Sequence, residues 1–145
     1  MNEKWTQLTR RYEGLSVVPY QCPTGHLTMG YGHNLENGIS KEAAEFILRE
    51  DLQAAEKAVS KHFVWWQGLN EARQFVLVDM TFNMGIGKLS TFKKMLAAIK
   101  CGDYQTAAAE MINSRWASQV GHRATELAKM MKTGEYYDPT HYRTL

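Results

Sequence analysis

The chain has 145 residues, of which 44% are hydrophobic and 22% charged. That is enough for one compact domain with a core, and too apolar for a disordered chain. Seventeen Lys and Arg against 15 Asp and Glu leave a formal charge of +2, too mild to point to nucleic acid but compatible with loose attraction to an anionic polymer.

In chain order, residues 3–12 read as a short amphipathic helix that stops near Gly14. Residues 14–38 change character. They hold five glycines (14, 25, 30, 32 and 38), two prolines and short β-type runs such as Leu27-Thr28-Met29, the pattern of a small antiparallel sheet with tight turns. Ser40 is placed to cap the next helix, with Glu42 in its first turn. Ala44, Ile47, Leu48, Leu52, Ala55 and Val59 then recur at three- and four-residue steps, which predicts one long helix over about 40–60. Asn70 caps a helix through about Met84 whose apolar residues wrap most of its circumference, so it belongs in the middle of a core. Gly85 and Gly87 end it. Helices over 91–101, 103–113, 114–119 and 122–133 follow, the last stopped by Gly134. Residues 138–145 contain Pro139 and no periodicity, and read as a loose tail.

Cys22 and Cys101 form no CxxC pair and no metal-ligand spacing. Free thiols are the expectation, with a single disulfide left open. The first residues carry charge throughout and lack the apolar stretch of a signal peptide. No run reaches the roughly 20 apolar residues of a membrane span. The expected location is therefore the cytoplasm, with no stable membrane insertion.

The informative spacing begins at Glu13. Eight residues separate it from Cys22, and five separate Cys22 from Thr28, which opens Thr28-Met29-Gly30-Tyr31-Gly32-His33. Together with Tyr12-Glu13-Gly14-Leu15, Asn83-Met84-Gly85, Ser114-Arg115-Trp116, Gln119 and Arg123-Ala124, this order resembles the phage-type lysozymes, from about residue 5 to 137. Their pattern is Glu, eight residues, Asp, five residues, Thr; here Cys22 stands where Asp is usual.

The resemblance implies an α+β, predominantly helical fold. A small β lobe (about 13–40) and a helical lobe (1–12 with 61–137) would be joined by the long helix, with the active-site cleft between the lobes. It implies an endolysin that hydrolyses the β-1,4 bond between N-acetylmuramic acid and N-acetylglucosamine in bacterial peptidoglycan, with no metal or organic cofactor. Glu13 would be the general acid, because the alkoxide leaving group of a glycoside needs a proton as it departs. A cleft wall would raise its pKa by desolvation, and Arg123, placed beside it by the resemblance, would lower it again; the sequence leaves that balance open. Without the resemblance Glu13 reads as a solvated residue at a helix end.

For Cys22 three readings stand: it positions or activates the attacking water in place of Asp, it attacks the sugar itself, or it is incidental. An ordinary thiol is only a few per cent ionised at pH 7, which makes it a poor base. Thr28 would offer its hydroxyl to a water or sugar, and Asn83 and Gln119 would line the cleft. His33 and Trp116 read as structural, and Asp79 as a hydrogen-bonded carboxylate of the central helix. A monomer released to the wall by a separate membrane-pore protein is expected. A non-catalytic glycan-binding relative, a partner-binding domain and a lytic transglycosylase are the alternatives.

Overall fold

The computed structural model describes residues 1–138. Of the predicted tail over 138–145, residues 139–145 lie outside the described residues. The elements follow the predicted order. They are α1 (Glu3–Glu13), β1 (Ser16–Gln21), β2 (Leu27–Gly30), β3 (His33–Asn34), α2 (Lys41–His62), α3 (Glu71–Met84), α4 (Ile86–Leu89), α5 (Lys93–Lys100), α6 (Tyr104–Ile112), α7 (Arg115–Val120) and α8 (His122–Thr133), with 3-10 turns at Leu35–Asn37 and Val64–Gly68. This is the α+β, mainly helical class expected. By its internal contacts the chain divides into Met1–Ile47 and Leu48–Leu145. The division falls inside α2 and groups α1 with the sheet, whereas the sequence reading groups residues 1–12 with the later helices.

In the first unit, Asn2 caps α1 by accepting from the Lys4 amide at 3.0 Å, and Gly14 ends it at φ +71°. β1, β2 and β3 make an antiparallel sheet in that order. Tyr20 pairs with Thr28 and Gln21 with Leu27, but the register shifts between Ser16 and Tyr20. Pro19 sits in that irregular stretch, where a missing N–H breaks no regular ladder bond. Ser40 caps the long helix, accepting from the Ala43 amide at 3.1 Å.

The second unit is helical. Val76, Leu77 and Met80 of α3 are fully buried together with Val59 from α2, Leu89, Ile99, Met111 and Met131. The apolar stripe of α2 divides. Ala55 and Val59 join this core, while Ile47 and Leu48 stay exposed. Asn70, Asp103 and Ser114 cap their helices through bonds of 3.1 Å each. The end of α3 departs from expectation in one detail. Gly85 closes it at φ +86°, but Gly87 lies inside α4 rather than marking a loop. Trp66 is core, its indole N–H donating to the Gln74 carbonyl at 3.1 Å. Trp65 sets its ring against Phe63, 5.3 Å away.

Candidate active site

The first unit holds three of the residues singled out in the sequence. Glu13 is the last residue of α1. Its carboxylate lies against Gly32 so closely that a β-carbon there would come within 2.7 Å of Glu13 Cδ. Gly32 sits in the β2–β3 turn at φ +74°. That turn needs a glycine twice over, once for the backbone and once for the carboxylate. Glu13 is exposed in this structure.

Cys22 and Thr28 are joined by the β1–β2 turn, Cys22-Pro23-Thr24-Gly25-His26. The Gly25 amide donates to the Cys22 carbonyl at 2.8 Å, and the Cys22 amide to the His26 carbonyl at 2.9 Å. The sulfur lies 3.0 Å from Thr24 Oγ1. Donation by that hydroxyl, then by the His26 amide, lowers the thiol from 9.0 to about 7, against a small opposing effect of desolvation. The Thr24 amide adds to the lowering. This turn does for a thiolate what an Asx-turn does for an aspartate, aiming local donors at a short side chain. The ordinary thiol assumed from sequence is thereby corrected, because about half of Cys22 is ionised near pH 7. Cys22 and Cys101 are both free thiols.

Thr28 is buried, with 4% exposure, and its hydroxyl donates to the His26 carbonyl at 2.9 Å. One hydroxyl proton cannot serve that carbonyl and the sulfur together; the 2.9 Å bond identifies the carbonyl as its partner. This differs from the sugar-facing hydroxyl expected, because the tight turn brings a carbonyl within its reach. The sequence reading passed over Thr24, His26 and Glu36. His26 Nδ1 is 2.9 Å from Glu36 Oε2, and Glu36 raises the imidazole above its ordinary value, first through this hydrogen bond and then through charge. The signal was in the sequence: a hydroxyl two residues beyond Cys22 is the spacing of a side-chain-capped turn. His33 is structural, donating from Nε2 to the Gly38 carbonyl at 2.7 Å.

The remaining three candidates lie in the second unit. Asp79 and Asn83, four residues apart on α3, share one face of that helix. Arg123 of α8 forks onto Asp79, with Nε 2.8 Å from Oδ2 and Nη2 2.9 Å from Oδ1. This bidentate geometry holds a guanidinium in a fixed plane. The Asp79 hydrogen bonds push Arg123 still further toward its charged form. The ion pair seen for Arg123 is thus with Asp79, the carboxylate that the sequence reading took to be hydrogen-bonded. Asn83 Oδ1 accepts from the indole N–H of Trp116 at 2.9 Å. Trp116 itself is buried, so its N–H requires an acceptor and Asn83 supplies it. Gln119 of α7 is exposed.

A family model described as Phage lysozyme matches residues 10–132. The chain is 31% identical to an endolysin of Acyrthosiphon pisum secondary endosymbiont phage 1, covering 91% of this chain and 90% of that one. It is 28% identical to the probable T4-type lysozyme 1 of Dictyostelium discoideum, over 84% of this chain and 89% of that protein. It is also 26% identical to the pre-baseplate central spike protein Gp5 of Enterobacteria phage T4, where 92% of this chain matches 28% of the relative.

Proposed function

We propose that this chain, which belongs to the phage lysozyme family, cleaves glycan with Glu13 as its general acid and Cys22 as the base that activates water. The chain is a glycoside hydrolase, a muramidase-type endolysin that hydrolyses the β-1,4 bond between N-acetylmuramic acid and N-acetylglucosamine in bacterial peptidoglycan. The observation that carries the proposed roles is the Cys22 turn, which holds a partly ionised sulfur near pH 7 in the same unit as the Glu13 carboxylate.

A bound glycan strand covers Glu13 and excludes water from it. As the glycosidic bond breaks, Glu13 gives its proton to the departing oxygen. A water attacks the anomeric carbon from the opposite face and passes one proton to the Cys22 sulfur. The base and acid then exchange protons with solvent and the cycle closes. A base near 7 is well matched to neutral pH, because enough of it is ionised and it is still a useful proton acceptor. Thr28 keeps the turn in shape through His26. Asn83 and Gln119 offer amides to the sugar, and the Arg123–Asp79 fork fixes the start of α8. Attack by water inverts the anomeric configuration.

Product analysis on purified peptidoglycan tests this reading. Reducing ends of inverted configuration are expected from the parent and from Cys22→Asp, and from Glu13→Gln only at a rate lower by about 10²–10⁴. Retained configuration would assign Cys22 as the nucleophile, and a 1,6-anhydro product, one water lighter, would assign a transglycosylase. Action as a monomer, waiting in the cytoplasm until a separate pore protein opens the way to the wall, belongs to the same proposal. No helix among the described residues is long and apolar enough to cross a membrane. Lysis on expression only with a pore-forming partner, and sedimentation at the mass of one chain, are the expected results.

A further inference from the structure

Lys88 from α4, Lys93 and Lys94 from α5, and Arg115 from α7 line one concavity of about 480 Å³ in the helical unit, a size that suits a small ligand. A single carboxylate, Glu110, lines it with them. All four cations are exposed. Among the described residues, none of the four forms an ion pair. Helix stability does not account for three of them. Lys93 and Lys94 are the first two residues of α5 and Arg115 the first of α7, the ends at which a helix dipole disfavours cations. The wall of the concavity is aromatic. Phe92 and Trp116 meet edge to face with ring centroids 6.3 Å apart, and the indole N–H of Trp116 is held by Asn83. The cations therefore border, through one indole, a residue already proposed to meet the sugar.

We propose that Lys88, Lys93, Lys94 and Arg115 bind carboxylates of the peptide stem that N-acetylmuramic acid carries, and make this chain selective for stems whose carboxyls are free over stems whose carboxyls are amidated. The inference rests on peptidoglycan being the substrate. A stem is tethered to its sugar, so a glycan seated beside Asn83 presents acid groups to the neighbouring surface at high effective concentration. A guanidinium takes a carboxylate through two parallel N–H donors, and the lysine ammonium groups add charge without demanding a fixed angle. The apolar parts of the stem find Phe92 and Trp116. An amide keeps the shape of the carboxyl but loses its charge. It also replaces one acceptor oxygen by N–H donors, which face side chains that can only donate.

The test compares two preparations of one purified peptidoglycan, one with free carboxyls and one amidated by carbodiimide and ammonia. At limiting substrate, the parent is expected to release reducing ends roughly three- to tenfold faster from the free-acid wall, the scale of two or three exposed ion pairs. The combined variant Lys93→Gln, Lys94→Gln and Arg115→Gln should lose that preference and treat both walls alike. Amidation strips charge from the whole wall, so a control variant removes equal charge elsewhere. Arg49→Gln, Lys57→Gln and Lys61→Gln, exposed on α2, should together keep the preference. Thermal melting establishes that both variants are folded. Equal parental rates on the two walls overturn the inference, as does an equal loss of preference in the α2 control, which would assign the effect to net charge. Inhibition of the parent by soluble teichoic acid, with no preference between the walls, would assign the concavity to a phosphate polymer instead. Co-sedimentation of Glu13→Gln with the two walls gives the same comparison without relying on turnover. Full activity of Glu13→Gln would refute the proposed acid, with the preference between walls still deciding the stem site.

Discussion

Replacing Gly32 by alanine separates the position of Glu13 from the stability of the fold. The new β-carbon would stand 2.7 Å from Glu13 Cδ, with ordinary contact beginning at 3.4 Å. The β2–β3 turn is held by the sheet, whereas the Glu13 carboxyl ends a flexible side chain, so the carboxyl moves. It must retreat by at least ~0.7 Å, and displacements of that order at a reacting centre cost roughly 30- to 100-fold in rate. The backbone adds a separate cost, since φ is +74°. A β-carbon there costs about 1–2 kcal/mol, partly offset by the stiffer unfolded chain. A net loss near 1 kcal/mol lowers Tm by about 3–4 °C in a chain of this size. Gly30→Ala is the control. It is the last residue of β2, at φ +73°, with nothing within 4 Å of the added carbon. Both variants should melt at similar temperatures, while only Gly32→Ala loses lysis of peptidoglycan suspensions, followed as falling turbidity. Parental activity in a folded Gly32→Ala, or an equal loss in Gly30→Ala, would refute the reasoning.

Glu13→Gln keeps the shape of the site but removes the proton, and kcat on purified peptidoglycan should fall by about 10²–10⁴ with little change in Tm. If Cys22 is the base, its ionised form is the active one, so lysis should fall as pH drops through about 7. Cys22→Asp should carry that acidic limb down by up to ~3 units; a limb that stays in place would show that Cys22 does not set it. Thr24→Val removes the donor with the largest effect on the sulfur, and slower alkylation of Cys22 at pH 7 is the expected result. Asp79→Asn breaks the Arg123 fork. With Arg123 37% exposed at its side chain, solvent screening limits the loss to about 1 kcal/mol by chemical denaturation. Met80→Ala empties a fully buried site and should cost about 2–5 kcal/mol; a loss below 1 kcal/mol would deny that α3 is the centre of the core.

Much of this protein was legible as a linear pattern because its determinants are local. Asn70, Asp103 and Ser114 cap helices through bonds to amides three residues on, and such a bond depends on nothing distant. The glycines of the sheet region announce turns that need positive φ, and the three-four periodicity of α3 announces a helix buried nearly all round. The order Glu13, Cys22, Thr28 was legible as a candidate site for the same reason, being a spacing along one helix end and one hairpin. Gly87 was misread because one turn of helix, α4, is held by tertiary packing around the buried Leu89 rather than by propensity. The sequence could not show what each candidate side chain is bonded to. Asp79 with Arg123 and Asn83 with Trp116 are partners 44 and 33 residues apart, met only when helices pack. The state of the Cys22 sulfur is decided over a few residues, yet it too needed three dimensions. Charge on sulfur depends on the direction of each donor, and folding of the turn, with His26 held by Glu36 from beyond the sheet, sets those directions.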